Sequence, residues 1–291
     1  MSDRPTRRWK RKLLAGVGLL AGTILVAPSL LGRRTIDPGV EATALPEHGF
    51  AYDDLAAALA WAGPEGVDYE RLVADSTDLR RFTATIAATG PRTEPDRFPN
   101  REDRLAYYIN AYNALTLLGV VEAWPIATIH DVRGLIEPKP GFGFFYGQRF
   151  GLDGRKVNLY DLENETIRPF GDARIHAAIN CASTSCPSLV GTPYLPETLD
   201  AQLEAAARGF VGDPRHVAIG DDGRSLVLSS IFQWFGGDFE DHSAALGGER
   251  DTIAWIVRHA PPDRAEAIAT VRDSEPTVTY AGYDWSLNDA L

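Results

Sequence analysis

Two cysteines, Cys181 and Cys186, bracket the stretch CASTSC, and His176 precedes the first of them by five residues. A thiolate beside an imidazole attacks carbonyls and disulfides, so Cys181 is the first candidate nucleophile and His176 the first candidate base. Regular backbone geometry argues against a local dyad. Positions five apart face opposite sides of a strand and sit about 140° apart on a helix. Read as a strand, ARIHAAINC puts Ile175, Ala177, Ile179 and Cys181 on one apolar face and Arg174, His176 and Asn180 on the other. A Cys–His contact then needs a turn at Asn180 or Cys181, or a different histidine. His242, in DFEDH beside Asp238 and Asp241, is the second candidate base, with Asp238 or Asn113 to orient the imidazole.

The spacing is not C-x-x-C, so thioredoxin logic does not transfer, and Pro187 pushes Cys186 towards extended backbone, away from a helix N-terminus. The alternative is a structural disulfide between Cys181 and Cys186, whose short loop contributes only roughly 2 kcal/mol. His176, Cys181 and Cys186 lack the short ligand pairs of zinc sites, so neither metal nor cofactor is expected. Asn110 and Asn113 share one side of an apolar helix. Buried amides must be hydrogen-bonded, so these two either tie a neighbouring segment to that helix or line a polar pocket that binds a substrate. Phe142, Phe144, Phe145 and Tyr146 read as a buried hairpin face or as the aromatic wall of a cleft. Asp238, Glu240 and Asp241 read most simply as a solvated turn after Gly236-Gly237. No G-x-S-x-G elbow, phosphate loop or dinucleotide fingerprint is present, which sets aside serine hydrolase, NTPase and Rossmann readings.

The elements that must hold these residues follow from periodicity and breakers. Helices are expected over DLAAALAWA from Asp53, over TDLRRFTATIAAT after Ser76, and from Arg101 to about Trp124, the last apolar almost all round and therefore central. GFGFFYGQRFGLDGRKVNLY reads as a hairpin turning at Asp153-Gly154, followed by a helix over LYDLENETIRPF. LDAQLEAAARGFV is a further helix. HVAIG and SLVLS form a second hairpin, two more helices lie around 249–259 and 262–269, and TVTY is a terminal strand. Helices cluster first and hairpins mix with helices afterwards, without a repeated βαβ unit. The expected class is α+β, a single domain over 50–291 with a buried central helix, short antiparallel hairpins and peripheral helices.

Composition agrees, with 44% hydrophobic and 24% charged residues in 291. Charge is uneven. Residues 1–34 carry eight basic residues and one acidic, so the remaining 257 hold −18 of a chain total of −11. A body this acidic repels phosphate backbones, and no nucleic-acid partner is expected. Residues 13–31 are uncharged over a length that spans a bilayer as a helix, with six positive charges before them and two after. The expectation is a membrane anchor within 1–34, a linker over 35–49, and the main domain outside the cytoplasm, on the periplasmic side in a bacterium. A cleaved, secreted form is the alternative.

Five stretches, VDYERL at 67–72, AYYINAYNALTL at 106–117, RIHAAINCASTSCPSL at 174–189, LSSIFQWFGGDF at 228–239 and YDWSLND at 283–289, together resemble the domain of unknown function 547 family. That resemblance implies one domain, often exported or tethered in bacteria, and supplies no catalytic residues. Two functions are therefore expected on the residues alone. One is a cell-envelope thiol-dependent hydrolase or acyl transferase using Cys181 with His176 or His242. The other is a non-catalytic binding or scaffolding module stapled by the cysteines, with its protein or small-molecule partner unknown.

Overall fold

The structure is a computed structural model, and it describes residues 34–134 and 137–290. The expected anchor at 13–31 lies outside the described residues, among which no helix is long and apolar enough to cross a membrane.

The chain opens with a short strand, β1 (Arg34–Thr35), and helix α1 (Asp53–Leu59). A minimal hairpin follows, β2 (Ala62–Gly63) with β3 (Gly66–Val67), then α2 (Tyr69–Ala74) and α3 (Thr77–Ala88). Helix α4 (Arg101–Val121) is buried over almost its whole length from Leu105 onward, as its all-round apolarity requires. Its start is fixed by the Asp103 carboxylate, which accepts from the Asn100 N–H at 2.9 Å.

The first expected hairpin forms as β4 (Gln148–Leu152) against β5 (Arg155–Val157), and β1 adds to β4 in parallel. Asp153 and Gly154 turn it with φ of 50° and 70°, the left-handed pair that a tight hairpin needs. The strand does not reach back through GFGFFYG, because Gly143–Gly147 coils into a π-helical turn. The helix expected over 159–170 is also broken up. After one α-turn, α5 (Leu159–Asp161), it widens to a π-helical stretch over Leu162–Ile167 and tightens to a 3-10 turn at Arg168–Phe170.

ARIHAAINC is not a strand. Ala173–Ala177 is a 3-10 turn capped by Asp172, whose carboxylate accepts from the Arg174 N–H at 3.1 Å. The face argument that separated His176 from Cys181 therefore does not apply. Beyond it lie α6 (Leu199–Gly212), β6 (Val217–Ile219) antiparallel to β7 (Ser225–Leu228), α7 (Ser230–Trp234) and α8 (Gly236–Ala245). Helices α9 (Thr252–His259) and α10 (Pro262–Asp273) precede β8 (Thr277–Tyr280), which joins β7 in parallel. Long helices mixed with short, mostly antiparallel strands make an α+β fold. The acidic stretch read as a solvated turn is helix α8, and its first carboxylate, Asp238, is half-buried against His176 and Arg168.

Residues 35–49 are strapped to the body rather than hanging free. Ile36 is buried, Thr43 N–H donates to Thr85 Oγ1 at 3.0 Å, and Arg97 reaches the carbonyls of Pro46 and Gly49.

Apolar side chains collect into two cores. One surrounds α4, and the other lies among α6 to α10 and the β6–β7 hairpin. The stretch 173–182 crosses between them: Ala173 and Ala177 pack in the second, while Ile175, Ile179 and Ala182 pack in the first. The cysteine loop is thereby pinned from both sides.

Candidate active site

After the 3-10 turn the chain is held by side-chain amides. Asn180 N–H donates to Asn113 Oδ1 at 2.8 Å, and the Asn180 side chain accepts from Ala182 N–H at 2.8 Å while donating to the Pro187 carbonyl at 2.7 Å. Between them Ala182 sits at φ 63°, a left-handed conformation unusual for a residue with a Cβ. The C-terminal segment clamps the same loop, with Asn288 N–H on the Ala182 carbonyl and Thr184 N–H on the Ser286 carbonyl. A strained backbone position persists only where its surroundings over-determine it, and here they do.

This geometry brings the two sulfurs to 3.1 Å, and Cys181 N–H also donates to Cys186 Sγ at 3.1 Å. Both cysteines are free thiols, so the staple expected between them is not formed. Ser183 Oγ and Tyr283 OH lie 3.0 and 3.3 Å from Cys181 Sγ. Ser183 donates to Tyr283 at 3.0 Å, which leaves the phenol proton for the sulfur. A Cys186 thiol donating to the Cys181 thiolate, with help from the linked Ser183–Tyr283 hydroxyl pair and against burial, brings the Cys181 thiol down to about 7. Burial, and then the neighbouring Cys181, push Cys186 well up. One thiol ionises near neutrality and the other stays protonated.

Cys181 opens into a cavity of about 630 Å³ that is also lined by His176, Glu163 and Arg168. His176 Nε2 lies 2.9 Å from Asp238 Oδ2, and the Arg168 guanidinium grips the same carboxylate through Nε and Nη2 at 2.7 and 2.9 Å. The imidazole stacks on Phe235, ring centroids 4.1 Å apart, which fixes its plane. Burial holds His176 below the usual histidine range despite Asp238, so it is neutral at pH 7. A neutral imidazole beside a carboxylate donates from the facing nitrogen, and Nδ1 remains for a second partner. Glu163 takes a hydrogen bond from the Tyr112 hydroxyl at 3.2 Å. Burial first, and Cys181 second, raise its carboxyl to about 7.

The other sequence-derived candidates go elsewhere. His242 does not face Cys181. Its Nδ1 accepts from Ala173 N–H at 3.2 Å and from Trp255 Nε1 at 3.1 Å, so it secures the start of the 3-10 turn. Asn113 does not orient a histidine, because its amide donates to the Ala178 carbonyl at 2.9 Å and accepts from Asn180. Asn110 is spent in the same way on both backbone groups of Tyr194. Of the two readings for these amides, the structure shows the tie between segments rather than the binding pocket. Phe145 and Tyr146 line the cavity, whereas Phe144 is in the core. Among the described residues no cluster of three or more His, Cys, Asp or Glu is placed to hold a metal.

The arrangement, a thiol of lowered pKa with a carboxylate-oriented imidazole on the walls of one cavity, lies mostly within a single stretch of chain. Residues 96–211 match the family model described as "Protein of unknown function, DUF547". This stretch belongs to the DUF547 family. It contains Glu163, Arg168, His176, Cys181 and Cys186, while Asp238 and Tyr283 come from beyond it. Comparison with curated proteins and with solved structures gave no match.

Glu163, Arg168, Ser183 and Tyr283 were not among the sequence-derived candidates. Arg168 and Asn164 stand four apart and are joined by a 2.6 Å hydrogen bond, a pairing visible in the spacing. Glu163 carried no such signal, since its direction depends on the π-helical stretch.

Proposed function

We propose that this DUF547 protein is a thiol-dependent hydrolase or acyl transferase of the cell envelope. The observation that carries the reading is that Cys181, brought to about 7, and His176, held by Asp238 at 2.9 Å, line one cavity. In the reaction Cys181 Sγ attacks an acyl carbon, forming the C–S bond, while its proton passes to His176 Nδ1. The bond to the leaving group then breaks, and the leaving group takes that proton from the imidazolium. Asp238, fixed by Arg168, keeps Nε2 protonated and stabilises the positive ring. Water or a nucleophilic acceptor attacks the thioester, returns a proton through His176 and frees the thiol.

The test is turnover of a panel of acyl esters and amides. Cys181→Ala and His176→Ala should each lower kcat/KM at least ~100-fold. Hydrolysis that survives Cys181→Ala overturns the reading. The envelope location rests on the charge asymmetry around residues 13–31. Protease added to intact spheroplasts should digest the acidic domain, and full protection there contradicts the placement.

A further inference from the structure

We propose that Cys181 and Cys186 form a dithiol couple that reduces apolar organic hydroperoxides. This goes beyond acyl transfer, in which Cys186 only donates a hydrogen bond to the Cys181 thiolate and forms no covalent bond.

The loop supports it first. A thiol oxidised by a peroxide becomes a sulfenic acid, which is over-oxidised unless a second thiol reaches it. Here the second sulfur is 3.1 Å away and is held there without a bond, by the Asn180 bridge, the left-handed Ala182 and the Asn288 clamp. The two thiols are also unequal in the sense that such a couple needs. Cys181 carries two hydroxyls at hydrogen-bond distance, whereas Cys186 is 7% exposed and packs against Cys181 and, at 4.0 Å, the Ile179 carbonyl. One sulfur attacks and the other resolves.

The cavity names the substrate class. Its lining combines the apolar and aromatic Ile179, Ile231, Trp234 and Trp285, the two indoles stacked at 5.8 Å, with the polar Glu163, Arg168 and His176. The apolar part of that lining takes the hydrocarbon part of an alkyl or aryl hydroperoxide, and the Tyr283 hydroxyl, backed by Ser183 at 3.0 Å, meets its polar end.

The steps balance. The Cys181 thiolate attacks the terminal oxygen of ROOH, so the S–O bond forms and the O–O bond breaks. The alkoxide takes a proton from the Tyr283–Ser183 pair, which solvent restores, and leaves as ROH. Cys186 then attacks the sulfenic sulfur, the S–S bond forms, and the S–O bond breaks as hydroxide takes up the Cys186 proton and leaves as water. Two thiols are oxidised and one hydroperoxide is reduced. A small external dithiol returns the disulfide to the starting state.

The experiment uses the full chain, reduced and freed of reductant, with one equivalent of cumene hydroperoxide at pH 7. Stoichiometric cumyl alcohol, loss of both thiols, an intact mass lower by two hydrogens and a Cys181–Cys186 cross-linked peptide are expected. Cys186→Ser should stop at a sulfenic acid on Cys181 that dimedone traps, with a circular dichroism spectrum like the parent's to show that it folds. Acyl turnover by the reduced parent, read separately on the ester panel, separates failure of this proposal from failure of the acyl-transfer reading. Cumene hydroperoxide should react at least ~10-fold faster than hydrogen peroxide, the gain expected from burying the aryl group. Consumption no faster than by N-acetylcysteine, a sulfinic acid on Cys181 with Cys186 still free, or hydrogen peroxide as the better substrate would each overturn it.

Discussion

His176 Nε2 donates to Asp238 Oδ2 at 2.9 Å, joining two residues 62 positions apart in the chain. The contact exists because the 3-10 turn at 173–177 and the first turn of α8 meet at the seam between the two cores. Arg168 closes the other side of the carboxylate, so the imidazole leans on a fixed acceptor rather than a mobile one.

That carboxylate should also set an acid limit to stability. Burial pushes Asp238 up, but His176 and Arg168 outweigh it and hold the group well below the usual carboxylate range. A depressed pKa stabilises the fold at pH above the unfolded value, about 3.9, and the contribution disappears as pH falls through the folded value. Asp238→Asn should cost about 1–3 kcal/mol in urea unfolding at pH 7. The gap to the parent should close in strong acid. Equal stabilities at pH 7 would contradict this.

Iodoacetamide should alkylate Cys181 with a rate that rises through a midpoint near 7. The Cys186 thiol is the largest cause of the lowering, so Cys186→Ser should move the midpoint up towards about 8.5. Tyr283→Phe and Ser183→Ala should move it less. A midpoint in the parent equal to that of a model thiol would refute the microenvironment described.

Glu163 acts in the opposite sense. Its carboxyl is raised to about 7, so its effect on stability is most favourable below the unfolded value of about 4.3 and is lost as pH rises through 7. Glu163→Gln should therefore be nearly neutral at pH 4 and stabilising at pH 8, by on the order of 2 kcal/mol. Denaturant midpoints at the two pH values decide it. A destabilised variant at pH 8 would show the charge to be satisfied instead.

Asn113→Ala would leave the Ala178 carbonyl and the Asn180 N–H without their partner in the core. A loss of about 2–4 kcal/mol is expected from two orphaned backbone groups. Faster labelling of Cys186 should accompany it, since the same amide braces the cysteine loop. Unchanged stability would mean that the loop is held by the C-terminal clamp alone.

How far the sequence announced this follows from what each residue depends on. Helix α4 was legible because apolarity all round can only be central, and both hairpins were legible from turn residues. Cys181, His176 and Asp238 were legible as chemical types. Their meeting was not, because reading 174–181 as a strand set His176 and Cys181 on opposite faces, whereas a 3-10 turn brings them to one cavity. Two glycines at the start of α8 hid a helix and made Asp238 look solvated. Glu163 depends on a π-helical widening, and Tyr283 on a contact across 102 positions, neither of which leaves a local pattern.

The most direct test of Cys181 as nucleophile is rapid mixing of the full chain with p-nitrophenyl acetate at pH 7, read by p-nitrophenolate release and intact mass. A burst of one equivalent is predicted, with a single acetyl group mapped to Cys181 and its formation slowed in His176→Ala and Asp238→Asn. No burst, or acetylation at Cys181 no faster than on a model thiol, would contradict the account.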